Sequence, residues 1–251
     1  MEANRPIVLS IAGLDPSAGA GLLADIKTFE EYKVYGLGIS TAQTLQTENE
    51  FFTIRWEEEK DILQSLETML LQYNVSVVKI GIVENIGVLN RIVSFIHKID
   101  NSLKIVIDTV IKSSSGFNFW NKTINEQVLF ETFSKVFLIT PNYNEAIQLW
   151  PSSNAKEAAQ KLAVHCNVLL KGGHNNEETG VDYLYIKNEV RKLDATTTEV
   201  SPKHGSGCVL SSAITANLAL GFDLVSACTR SKKYIEQFLN SNNTLLGYHH
   251  V

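Results

Sequence analysis

Lys203-His204-Gly205-Ser206-Gly207-Cys208 runs directly into Val209–Leu220, a segment of helical length and composition. Two glycines and a small hydroxyl residue ahead of a helix allow a tight turn, so that free N–H groups and the positive end of the helix dipole converge on one point. Such a point attracts a phosphate or another developing anion. A cysteine on the first turn sits in the same field, which favours its thiolate and predicts a lowered pKa. The same residues also suit an ordinary loop-to-helix junction with an inert, buried cysteine. The rest of the chain has to decide between the two.

Outward from this junction, short β-branched runs alternate with longer segments of helical period. That is the pattern of a mostly parallel central sheet with helices on both faces. The predicted strands are Ile7–Ala12, Gly38–Thr44, Val75–Ile80, Lys104–Asp108, Val136–Thr140, Asn167–Lys171 and Val181–Ile186. The predicted helices are Ala20–Tyr32, Glu57–Tyr73, Ile86–Ile99, Ile124–Phe133, Tyr143–Leu149, Asn154–His165, Gly207–Leu220 and Leu224–Asn240. No linker or repeat divides the 251 residues, so a single domain, residues 1–251, is expected.

Composition excludes several classes. With 22 Lys and Arg against 27 Asp and Glu, the net charge is −5, and no basic block is present to follow a nucleic-acid backbone. Three cysteines without CxxC spacing argue against disulfide and zinc frameworks, and the apolar runs are too short to span a membrane. The first residues lack the order of a secretion signal, so a reduced, cytosolic protein is expected.

In open α/β sheets ligands lie beyond the carboxyl ends of the strands, and the residues there carry the chemistry. The first strand ends in Ala12-Gly13-Leu14-Asp15-Pro16-Ser17-Ala18-Gly19-Ala20-Gly21, a run suited to close backbone approach to a small ligand, or to a turn capped by Asp15 or Ser17. Asp25 on the next helix is either a solvated face residue, which composition favours, or a carboxylate aimed back at that ligand. Gln46, after the second strand, offers a donor and an acceptor to an aminopyrimidine-like edge, or is a surface amide. Asp108 ends the fourth strand, where an indirect Mg²⁺ ligand or an N-cap belongs. Asn142 and Glu145, after Thr140-Pro141, fit a capping box, and the same spacing suits a carboxylate near a nucleotide's metal. Lys171-Gly172-Gly173-His174 places a cation beside flexible backbone, as a polyphosphate needs. Each signal is weak alone; their order at successive strand ends points to phosphoryl transfer.

These motifs resemble those of the hydroxymethylpyrimidine and phosphomethylpyrimidine kinases of thiamine biosynthesis, in the ribokinase-like superfamily. The resemblance covers nearly the whole chain. It rests on Ser10–Gly21 with Ala24-Asp25-Ile26-Lys27-Thr28-Phe29, on Val78-Lys79-Ile80-Gly81, on Thr140-Pro141-Asn142 with Glu145, on Lys171–His174 and on His204–Cys208. It implies a three-layer α/β/α sandwich that uses ATP and Mg²⁺. The pyrimidine would lie against Gly13, Ala20 and Gln46, near Asp25, with Ile82 as an apolar wall. Lys171 and the Gly205, Ser206 and Gly207 loop would hold the ATP phosphates, with Asn142 beside them. Asp108 and Glu145 would hold Mg²⁺, and Cys208 would take the place of the base.

The chain departs from the family pattern at Ser206, at Asp108-Thr109, at Ser201-Pro202-Lys203, in the loop after Ser113–Gly116 and at Gly247–His250. The competing readings are a pyridoxal kinase, which Gln46 modestly disfavours, and a non-catalytic pyrimidine-binding protein, against which Lys171, Glu145, Asp108 and Cys208 argue. A dinucleotide-binding oxidoreductase fits less well, because no acid ends the second strand. Phe51, Phe52 and Trp56 suit either core packing or the contact of an expected homodimer, and Ser113–Phe119 has the composition of a flap.

Overall fold

A computed structural model describes residues 5–112, 116–120, 125–175, 178–187, 189–197 and 199–249. The chain order is β1 (Ile7–Leu14), α1 (Gly21–Glu31), β2 (Tyr35–Gln46), β3 (Phe51–Trp56), α2 (Glu59–Gln72), β4 (Val75–Ile80), α3 (Ile86–Ile99), β5 (Lys104–Ile107) and α4 (Glu126–Phe133). There follow β6 (Leu138–Ile139), α5 (Tyr143–Leu149), α6 (Ala155–Leu162), β7 (Asn167–Leu170), a 3₁₀ turn (Gly172–His174), β8 (Asp182–Ile186), β9 (Glu189–Leu193), α7 (Ser206–Ala219) and α8 (Leu224–Leu239).

The strands form one sheet in the order β3-β2-β1-β4-β5-β6-β7-β8-β9. From β2 to β7 all neighbours are parallel, whereas β3 and the β8–β9 hairpin add antiparallel edges. Strand period divides the core in two. Leu9 and Ile11 of β1, Val78 of β4 and Ile105 and Ile107 of β5 face the layer of α2 to α6. Val8, Val77 and Val106 face the layer of α1, α7 and α8. The three-layer sandwich is therefore as expected.

Two strands escape the sequence reading. In β9, Glu189, Val190, Arg191 and Lys192 are exposed and only Leu193 is buried, so no alternation marks the strand. In β3 no residue is fully buried. Its aromatic residues pack locally: Phe51 stacks on Phe117 at 4.5 Å, and Phe119 meets both Phe51 and Trp56 edge-on. Phe52 is exposed instead. Of the expected flap, Ser113–Ser115 lie outside the described residues. Among the described residues no helix is long and apolar enough to cross a membrane.

The sheet fixes where the site must be. From β1 the chain winds outward to β2 and β3, then returns to the other side of β1 to lay down β4 to β7, so the order reverses between β1 and β4. A crevice opens beyond the carboxyl ends of strands at such a reversal. Helix α7 points into it. Every residue from Val209 to Leu218 is buried, so the helix is gripped on all sides and its first turn is held on a rigid element.

Candidate active site

The start of α7 is set by backbone rather than by a side-chain cap. Gly205 takes the N-cap position at φ +73°, in the left-handed region, and no side chain caps the helix. A Cβ at Gly205 would lie 2.1 Å from the Gly19 carbonyl oxygen and 2.6 Å from Ala20 Cα, so the loop after β1 rests directly on the helix start. The first-turn N–H groups of an uncapped helix are available to an anion.

The loop after β1 is not held by backbone alone. The Asp15 carboxylate accepts hydrogen bonds from Ser17 N (2.9 Å), Ser17 Oγ (2.8 Å) and Ala20 N (2.9 Å), and meets His204 Nε2 at 2.8 Å. Burial pushes the Asp15 pKa up, but the hydrogen bonds of His204 and Ser17 outweigh it and hold the carboxyl below its ordinary value. His204, to which the sequence reading gave no role, thereby joins the two glycine-rich loops across 189 residues.

Four of the predicted substrate residues, Gly13, Ile82, Ala20 and Gln46, cluster there. Gly13 leaves room for Ile82, whose Cδ1 would be 2.4 Å from a Cβ at that position. Ala20 caps the start of α1 and touches Gly205. Gln46 ends β2 rather than following it, and its Nε2 donates to Thr44 Oγ1 (2.9 Å), which in turn donates to Leu14 O (2.9 Å). Asp25 corrects the expectation. It is neither solvated nor turned to a ligand: it is fully buried in an ion pair with Lys79, because two hydroxyls and the ammonium saturate both of its oxygens.

The expected phosphate side is built from β5, β6, β7 and α7. Lys171 Nζ donates to Asp108 Oδ1 (2.8 Å) and lies 4.0 Å from Glu145. Asn142 Oδ1 accepts from Glu145 N (2.9 Å) while Glu145 Oε2 accepts from Asn142 N (2.8 Å), closing the capping box. Gly207 lies over this group, where a Cβ would be 3.3 Å from Lys171 Nζ and 3.6 Å from Asp108 Oδ2. The structure thus brings Gly205, Ser206, Gly207, Cys208, Lys171, Asp108, Glu145 and Asn142 to one crevice. The Gly172–His174 segment is not the flexible backbone expected. Gly172 N donates to Asp182 Oδ1 (2.7 Å), and Asp182 Oδ2 is paired with Lys232 (3.0 Å).

Asp108 Oδ2 is buried without a hydrogen-bond partner, a donor atom whose cost is met when a cation or its water binds there. Among the described residues no three His, Cys, Asp or Glu side chains converge as a metal cage. Two carboxylates with one free oxygen fit Mg²⁺, which keeps waters and takes its remaining ligands from phosphate.

Electrostatics correct a second expectation. Burial pushes the Cys208 thiol up to about 12, against the pull of Lys79 and helped by Asp108 and Asp25, so the helix-start field does not make a thiolate here. Burial likewise raises Glu145 to about 7, with Lys171 opposing and Asp108 adding to the shift. A carboxyl raised from 4.5 to about 7 contributes stability that is full below its unfolded value and is lost as the pH rises through its folded one. Glu145→Gln keeps the cap without the charge. In a chelator, it is expected to lose about 2–3 kcal/mol less stability than the parent between about pH 5 and 8, measured by urea denaturation. Equal losses would show that Glu145 titrates normally.

A family model described as phosphomethylpyrimidine kinase matches residues 15–251. The chain belongs to that family. The hydroxymethylpyrimidine/phosphomethylpyrimidine kinase of Aquifex aeolicus is 32% identical over 96% of this chain and 98% of its own. Among solved structures, the phosphomethylpyrimidine kinase of Clostridium difficile 630 has a TM-score of 0.78 at 32% identity, covering 92% of this chain and 98% of its own. The pyridoxal kinase of Staphylococcus aureus in complex with ADP has a TM-score of 0.84 at 25% identity, covering 98% and 94%. The backbone of this phosphomethylpyrimidine kinase family member is therefore shared with pyridoxal kinases, while its sequence runs closer to the pyrimidine kinases named here.

Proposed function

We propose that the protein transfers the γ-phosphoryl group of ATP to the hydroxymethyl oxygen of 4-amino-5-hydroxymethyl-2-methylpyrimidine, and then phosphorylates the monophosphate to the diphosphate, in thiamine biosynthesis. The observation that carries this reading is the contact of the α7 start with Lys171 and Asp108 on one side and with the Gly13–Ala20 loop on the other. Such a junction can hold a transferable phosphate against a small alcohol.

Phosphoryl transfer depends on positioning and charge neutralisation more than on strong base catalysis. The first-turn N–H groups from Ser206 onward, with Lys171, take up charge on the phosphoryl oxygens, and Asn142 lies next to them. Gly13, Ala20 and Ile82 give the ring a flat apolar seat, and the Gln46 carboxamide reads its amino edge. Mg²⁺, when bound, neutralises phosphate charge, and Asp108 Oδ2 and Glu145 would hold it, in part through water. At rest the Cys208 thiol keeps its proton, so a base role requires that substrate binding ionise it. Cys208→Ala is accordingly expected to lower kcat only about tenfold, less than general-base removal usually costs. Turnover at the parent rate with saturating substrate would take Cys208 out of the mechanism.

Three cysteines, none in a disulfide, suit a reducing cytoplasm. Leu45 and Phe52, exposed on the paired strands β2 and β3, are apolar side chains open to the contact of the expected homodimer. A second reading, phosphorylation of pyridoxal, is favoured by the fit to the Staphylococcus aureus enzyme. The deciding experiment is ADP release with ATP and Mg²⁺, offering the hydroxymethylpyrimidine, its monophosphate and pyridoxal in parallel. Turnover of both pyrimidines is expected. Turnover of pyridoxal alone would move the activity to vitamin B6 salvage, and silence with all three would overturn both readings.

A further inference from the structure

The buried ion pair of Lys79 and Asp25 has no part in the roles assigned so far. Both side chains are 0% exposed. Lys79 Nζ donates to both Asp25 oxygens (2.9 and 2.7 Å), Ser10 Oγ donates to Oδ2 (2.6 Å) and Ser212 Oγ to Oδ1 (2.7 Å), so one carboxylate joins α1, β4, β1 and α7. A buried ion pair is a weak source of stability, because desolving two charges offsets their attraction.

The pair has a direction. Its ammonium end reaches the carboxyl end of β4: a Cβ at Gly81, the first residue beyond that strand, would lie 3.1 Å from Nζ and 2.9 Å from Ala12 Cβ of β1. That is the point where the sheet order reverses and the crevice opens. Among the charges acting on the Cys208 sulfur, Lys79 is the strongest and exceeds Asp25. Ser212 stands one turn beyond Cys208 on α7, so the carboxylate end of the pair also anchors the helix whose start forms the site.

We propose that Lys79, held in place by Asp25, is a positioning residue for phosphoryl transfer: a buried cation beneath the crevice floor that supplements Lys171 in neutralising the charge developed above it. The proposal rests on the kinase reading. Lys79→Met alone would strand the Asp25 charge, so the test uses two neutral pairs, Lys79→Gln with Asp25→Asn and Lys79→Met with Asp25→Leu. In each folded pair kcat is expected to fall about 10- to 100-fold while KM for the pyrimidine stays within about threefold, the split that marks loss of transition-state stabilisation.

A second readout needs no substrate. Carbamidomethylation of Cys208 by iodoacetamide at mildly alkaline pH, in which the thiolate displaces iodide, followed on the Cys208 peptide by mass spectrometry, is expected to slow several-fold in both pairs, because the strongest positive charge near the sulfur is gone. A folded neutral pair with the parent kcat, or with Cys208 alkylated at the parent rate, would overturn the proposal. Failure of both pairs to fold would make the ion pair structural and overturn it as well. If the parent chain itself does not phosphorylate the pyrimidine, the kinase reading falls separately, and the alkylation rates still report whether Lys79 charges the crevice.

Discussion

Gly205→Ala is expected to lower kcat by about 100-fold or more and to destabilise the fold by about 2–4 kcal/mol. Two costs add. A non-glycine residue at φ +73° pays about 1–2 kcal/mol for the left-handed conformation alone. The added Cβ would also stand 2.1 Å from Gly19 O, a distance that backbone on one side or the other has to open. The opening separates the α7 start from the loop proposed to seat the alcohol, and a misplacement of about 1 Å between reacting groups costs about 100-fold. Gly221→Ala is the control. It too has a positive φ, +89°, but nothing lies within 4 Å of its Cβ position, so it should lose about 1–2 kcal/mol and keep its kcat. Urea denaturation and ADP release on both variants separate strain from geometry. Parent-level turnover by folded Gly205→Ala would mean that the contact of the two loops does not set the reacting distance.

Lys171→Met carries the second large effect, about a 100- to 1000-fold fall in kcat, as for the loss of one preorganised charge donor. Its stability effect has a defined pH sign. Burial pushes the Asp108 carboxyl up, but Lys171, with Lys79, overcomes this and holds it below its ordinary value of 3.8. A depressed carboxylate contributes stability above its unfolded pKa and loses it as the pH falls. Lys171→Met removes that contribution, so the variant should be destabilised relative to the parent at neutral pH and less so near pH 3. Lys171→Arg restores the charge but not the compact ammonium that fits under Gly207, where a Cβ would be 3.3 Å from Nζ, and should recover stability better than kcat. A Lys171→Met enzyme with near-parent kcat would remove this cation from the phosphate site.

The layers, the parallel centre of the sheet and the loops that bear the site were all legible because each is written locally. β1, β4, β5 and β7 are short runs with buried β-branched residues, and helices such as α3, which matches its expected bounds, present one apolar face. β9 was not legible because an exposed edge strand need not alternate, and β3 because its partners, Phe117 and Phe119, are remote in sequence.

In the site, the residue types at successive strand ends carried the chemistry, and from them the sequence by itself determined an α/β fold with a glycine-loop helix start facing a lysine and two carboxylates. Only the tertiary structure decided that His204 closes on Asp15, that Asp25 is spent on Lys79 and that Asp182 pins Gly172, pairs separated by 189, 54 and 10 residues. It also reversed the expected acidity of Cys208. The helix-start field is a local property that sequence reveals, whereas desolvation depends on everything packed around the sulfur, and in this crevice desolvation is the larger effect.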